Sequence, residues 1–183
     1  MNSYLPSIKK QFEYYKNLGD KTFSQLSEKE MFQQLNDESN SVAIIIKHIV
    51  GNMLSRWTNF LTEDGEKSWR NRDGEFKKTY KTKEEILLDW EKGWECLFNA
   101  INPLEEKDLE NIIFIRNQGH SIIEAINRQL CHYSYHIGQI VFIGTLVKGE
   151  KWESLSIPKN ASKAYNEKKF KKEKLRKHFT EDL

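Results

Sequence analysis

His132 and His136 in QLCHYSYHIGQI stand four residues apart, and His48 lies in a separate apolar segment, IIIKHIVGN. An α-helix advances about 100° per residue, so positions i and i+4 sit about 40° apart on one face and can bind one ion together. A third imidazole from a neighbouring helix would complete a facial set. Three histidines with a fourth position open are the donor set of a catalytic zinc site, because structural sites fill all four positions with protein ligands. The spacing alone is not specific. H-x-x-x-H here lacks the Glu of the H-E-x-x-H metalloprotease pattern, and a single histidine on an apolar face is ordinarily a hydrogen-bonded core residue.

Placing three histidines together is the work of helices, and the pattern is helical nearly throughout. Leu5, Ile8, Phe12, Tyr15, Gly19, Thr22 and Leu26 follow three-and-four spacing, with Gly19 permitting close approach of a partner. Ser27 and Glu30 have capping-box spacing for a short helical turn. A second long helix starts near Asn40, with Val42, Ile45, Ile46, Ile49, Met53, Trp57 and Phe60 as its stripe. His48, Asn52 and Arg56 run down one adjoining edge, which periodicity alone can aim into a cleft or at solvent. From Thr62 to Lys81 no period is sustained, and the segment reads as a long loop. Its Arg70, Arg72, Asp73 and Glu75 either recognise a carboxylated substrate or pair among themselves.

Thr82 and Glu85 form a further capping box for a third helix that ends at Asn102-Pro103. LENIIFIRNQGHS then predicts a short hairpin or extended connector turning at Asn117-Gln118-Gly119. Ser121 and Glu124 cap a fourth helix running toward Val147, with His132 and His136 in its middle. The predicted fold is all-α, a four-helix bundle with a long crossover between the second and third helices. Mid-helix His48 then lies at the depth of His132 and His136. His120, in a turn, and His178, in a basic tail, do not fit that geometry.

Composition bounds the remainder. At 183 residues with 38% hydrophobic content, one domain with a substantial core is expected. No run approaches the roughly 18 to 20 apolar residues of a membrane helix, and MNSYLPSIKKQFEYY has no apolar signal region, so a cytoplasmic protein without a membrane partner is expected. Cys96 and Cys131 read as reduced core thiols. Residues 159–178 carry nine Lys or Arg against Glu167 and Glu173, which separates a bundle over 1–158 from a basic C-terminal tail over 159–183. The tail lacks an interleaved aromatic platform, and nucleic acid is not the expected partner. Dinucleotide, P-loop and serine-hydrolase motifs are absent.

The stretches SVAIIIKHIVGNMLSRW, SWRNRDGEF, HSIIEAINRQLCHYSYHIGQI and WESLSIP resemble the DinB superfamily, the metal-binding four-helix bundles that include the YfiT-like and bacillithiol transferase-like proteins. They look most like a subgroup of it with no assigned reaction. The family pattern of one histidine in the second helix and an H-x-x-x-H pair in the last is matched by His48, His132 and His136, and the likeness covers residues 3 to 165. It implies a divalent ion, zinc or nickel, and frequently a homodimer. It does not imply one reaction.

A divalent ion on three neutral imidazoles keeps its charge and lowers the pKa of a bound thiol or water. The expected function is therefore a metal-dependent thiol S-transferase, in which a metal-bound thiolate from a low-molecular-weight thiol attacks an electrophilic small molecule. The alternatives are a metal-dependent hydrolase, or a non-enzymatic metal-binding structural or small-ligand-binding protein. Asn52, Arg56 and Arg128 are expected to hold a substrate carboxylate, each with the alternative of an interhelical hydrogen-bonding role. No residue stands out as a general base, since capping already accounts for Glu124.

Overall fold

The structure, a computed structural model, describes residues 3–182; the outer ends of the two predicted segments, residues 1, 2 and 183, lie outside the described residues. Helix α1 spans Tyr4–Gln25 and buries Leu5, Ile8, Phe12 and Phe23 along one face. Its Gly19 lies against the Trp90 indole, where a Cβ would stand 2.6 Å from the ring. The short α2, Glu28–Phe32, opens on a closed capping box between Ser27 and Glu30.

Helix α3, Val42–Trp57, starts where the Ser41 side chain accepts from the Ile44 amide. It is buried nearly all round, and the edge carrying His48, Asn52 and Arg56 faces inward. The segment predicted as a loop contains one helical turn, α4, Arg72–Glu75, whose cap Asn71 accepts from the Gly74 amide at 3.0 Å. Local side-chain capping, invisible to periodicity, makes that turn.

Helix α5, Lys83–Ile101, begins at Thr82. The capping box predicted there closes only on one side: Thr82 accepts from the Glu85 amide, but the Glu85 carboxylate takes the Lys81 amide at 2.7 Å. Strands β1, Ile112–Ile115, and β2, Gln118–Ser121, pair antiparallel with Ile112 opposite Ser121 and Ile115 opposite Gln118. The predicted turn is corrected to Arg116-Asn117, with φ of 57° and 59°. Positive φ at both central residues is what a two-residue hairpin turn requires to match strand twist.

Helix α6, Ile122–Lys148, opens on the closed Ser121 and Glu124 box. Helices α1, α3, α5 and α6 share one core, α3 packing on α5 and on α6, and α1 on α6. Trp90, Trp94, Tyr133 and Phe12 are fully buried, with Trp90 and Trp94 edge to face at 5.4 Å. Such pairs add about 0.5–1.5 kcal/mol beyond their burial.

Cys131 is exposed, which corrects its assignment to the core, and Cys96 is half-buried; both are free. The basic segment forms α7, Ser162–Phe170, with no buried residue. Beyond it the chain returns to α1, where His178 Nε2 lies 3.1 Å from Ser7 Oγ, Phe179 meets the Tyr14 ring edge to face, and Lys10 pairs with Glu181. Among the described residues, no helix is long and apolar enough to cross a membrane.

Candidate metal centre and its arginine-lined cavity

His48 on α3 meets His132 and His136 on α6, their ring centroids 5.4 and 4.9 Å from its own. His132 Nε2 and His136 Nε2 are 3.1 Å apart. One nitrogen from each of the three falls within 4.8 Å of the other two, a group that could hold a metal ion.

Two of the three are fixed from behind. His48 Nδ1–H donates to Glu75 Oε2 at 2.9 Å, and His136 Nδ1–H donates to Gln139 Oε1 at 2.8 Å. A histidine whose Nδ1 carries the proton presents its Nε2 lone pair, so these partners select the ligating tautomer. Burial pulls the His132 imidazolium down to about 3, reinforced by the charges of His136, His48, Arg56 and Arg70. Burial lowers His136 as well, with His48 adding to it against the Gln139 hydrogen bond. Neutral imidazole is the form that binds a metal.

Glu75 reaches His48 from α4. Arg70 grips the same carboxylate with two bonds, Nε to Oε1 at 2.7 Å and Nη2 to Oε2 at 3.0 Å. Burial works to raise the Glu75 carboxyl, and the bonds from His48 and Arg70 outweigh it, holding it below its usual range. The next residue, Phe76, stacks on the His48 ring at 4.9 Å. The long loop thus supplies one wall of the site.

A cavity of about 220 Å³ opens beside His48 and His132. Asn52, Arg56 and Arg128, the three side chains expected from the sequence, all line it, together with Arg70 and Arg72 from the loop. Asp73 is exposed and does not line it. Asn52 Oδ1 accepts from Tyr133 OH at 3.1 Å, and Trp57 Nε1 donates to that hydroxyl at 3.0 Å. Arg56 donates to the Gly65 carbonyl and to Glu66 Oε2 at 3.0 Å, and burial lowers its pKa. His120, set aside as a ligand, accepts from Arg128 Nη1 at 2.8 Å.

Several participants escaped the sequence reading. Gln129 lines the cavity, and its register was available: 129, 132 and 136 fall at i, i+3 and i+7 on one helical face. Gln139 lies one turn after His136 by the same rule. Arg116 enters from the hairpin tip and Glu66 from the loop, where no period exists to place them.

Residues 1–161 match a family described as "Protein of unknown function (DUF1572)". No curated protein and no solved structure matches the chain.

Proposed function

The chain belongs to the DUF1572 family of proteins of unknown function, and we propose that it is a divalent-metal-dependent thiol S-transferase built as a DinB-type four-helix bundle. The single observation that carries the reading is the convergence of His48, His132 and His136 beside a cavity that can admit a small molecule. The donor chemistry fits zinc or nickel, for which imidazole is a favoured ligand. A bound divalent ion would lower the pKa of a thiol and so make a thiolate available near neutral pH.

The chain's own residues do the remainder. Glu75 and Gln139 hold their histidines in the ligating tautomer. Arg70 keeps Glu75 ionised and in place. Asn52, Arg56 and Arg128 line the cavity where substrate would be positioned, and the buried Tyr133 hydroxyl fixes the Asn52 amide. Phe76 covers the His48 ring and limits access of water. A homodimer belongs to the same proposal, supported by the exposed Tyr135, Phe142 and Leu146 on the outer face of α6.

Elemental analysis of tag-free protein, beside the His132→Ala, His136→Ala double variant, tests the metal. About one ion per chain in the parent and none in the variant supports the site; an empty parent that also refuses zinc and nickel on titration overturns it. Consumption of thiol by the metal-loaded protein, across a panel of thiols and electrophiles, then separates a transferase from a metal protein without turnover.

A further inference from the structure

The cavity beside the histidines holds more positive charge than its own carboxylates neutralise. Arg56, Arg70, Arg72, Arg116 and Arg128 line it. Glu66 is shared among Arg56, Arg70 and Arg116, and Glu75 pairs with Arg70. Asp64, behind the hairpin turn, is occupied by the backbone amides of Glu66, Arg116 and Asn117. Among the described residues, Arg72 and Arg128 have no carboxylate partner: Arg72 lies over the Phe76 ring at 5.4 Å and Arg128 donates to His120. Five guanidinium groups against the carboxylates of Glu66, Glu75 and Asp64, the last acting on Arg56 through its charge, leave two positive charges over.

Two residues of the wall each carry an unpaired buried atom as well. Arg56 Nε and Gln129 Oε1 are buried without a hydrogen-bond partner, on residues only 7% and 3% exposed. The missing partners of the buried Arg56 and Gln129 atoms, which carry a free-energy penalty, and the missing counter-ions of Arg72 and Arg128, at exposed positions, are two deficits that a complementary ligand removes. An anion bearing a neighbouring donor group removes both.

The number of guanidinium groups, and the separate segments they come from, select the anion. A single carboxylate brings one charge and two oxygens, which one arginine fork satisfies. A phosphate monoester brings a charge of roughly −1.5 to −2 near neutral pH and three acceptor oxygens. Here the arginines that line the cavity come from α3, from the long loop, from the hairpin tip and from α6, so an anion in it meets donors from four separate segments rather than one fork. The volume of about 220 Å³ falls below the roughly 300–1,000 Å³ of drug-sized sites, which calls for a small ligand.

We propose that this cavity binds a small molecule through a tetrahedral, doubly charged head of the phosphate class, held by Arg56, Arg72, Arg116 and Arg128. Gln129 accepts a hydrogen bond from a hydroxyl or amine of the same molecule. The inference rests on the proposed function only in taking this ligand as the molecule presented to the histidines.

Calorimetric titration of chelator-treated protein at low ionic strength tests it, with inorganic phosphate, sulfate, malonate and acetate as probes. Phosphate and sulfate are expected to bind once per chain, and malonate and acetate at least about tenfold more weakly. Arg72→Gln and Arg128→Gln, both at exposed positions that folding tolerates, should each weaken phosphate by about tenfold, while Arg176→Gln in the tail should not. Acetate or malonate binding as tightly as phosphate, or phosphate affinity unchanged in both arginine variants, overturns the proposal. Zinc uptake is measured separately on the same preparation. Phosphate binding without zinc uptake retains this site and sinks the metal reading, and zinc uptake without phosphate binding does the reverse.

Discussion

The Glu75 carboxylate lies against the bare backbone of Gly51, where a Cβ would stand 2.7 Å from Glu75 Cδ and 3.1 Å from Cγ. Gly51 follows His48 by three residues on α3, so one helix supplies both the imidazole and the gap through which its orienting carboxylate enters. Gly51→Ala should favour the helix by about 1 kcal/mol in propensity while pushing Glu75 off His48. Partners of this kind are worth about 10–100-fold in metal affinity. A folded Gly51→Ala protein that binds zinc that much more weakly, read by competition with a chelating dye, is the expected result. Unchanged affinity would show that Glu75 does not orient His48.

Tyr133 joins two buried polar groups from α3, accepting from Trp57 Nε1 and donating to Asn52 Oδ1. Tyr133→Phe leaves both without that partner, Trp57 inside the core and Asn52 at the wall of the cavity. An orphaned buried group costs about 1–3 kcal/mol, borne in full at Trp57 and in part at the cavity-lining Asn52, so a loss of about 2–4 kcal/mol is expected. For a chain of this size that lowers Tm by roughly 4–16 °C. Calorimetry reads it, and a change under 1 °C would mean that the two groups find other partners.

Legibility in the sequence followed locality. The Ser27 and Ser121 boxes mark their helix starts because cap and partner are three residues apart, and His48, His132 and His136 stand out through helical spacing. Glu75 was visible only as a loop acid, because its placement depends on Arg70, on the Asn71 cap and on a gap 24 positions earlier in the chain. The hairpin turn was misplaced by the pull of Gly119 as a turn former. Arg116 and Asn117 instead hold positive φ with their amides bonded to Asp64, a partner about fifty residues away that no local pattern reveals.

Tyr135, Phe142 and Leu146 recur at i, i+7 and i+11 along α6 and are 62%, 61% and 50% exposed. Large apolar side chains aligned on one helical face commonly mark a contact with another chain. Phe142→Glu places a charge in that line and should convert a dimer to a monomer in sedimentation velocity without loss of helicity. A parent that sediments as a monomer at tens of micromolar removes this face as a self-association surface.

Asp64 ties the hairpin tip to the long loop, accepting from the Arg116 and Asn117 amides at 2.8 Å and from the Glu66 amide at 2.7 Å. Burial works to raise its carboxyl, and the backbone donors outweigh that effect and hold it below the ordinary aspartate range. A folded-state pKa below the unfolded one means that the unfolded chain binds the proton more readily. The stabilisation is therefore complete above the unfolded value near 4 and drains away as pH falls through the depressed folded value. Asp64→Asn keeps one acceptor and loses the charge, for an expected cost of about 1–2 kcal/mol at pH 7. Because other carboxylates titrate alike in both proteins, the gap between their urea midpoints should narrow toward pH 3. A gap that stays constant from pH 7 to pH 3 would show that Asp64 acts through shape rather than charge. A loosened hairpin also withdraws Arg116 from the cavity, so phosphate binding at pH 7 should weaken in the same variant while zinc uptake, set by α3 and α6, persists.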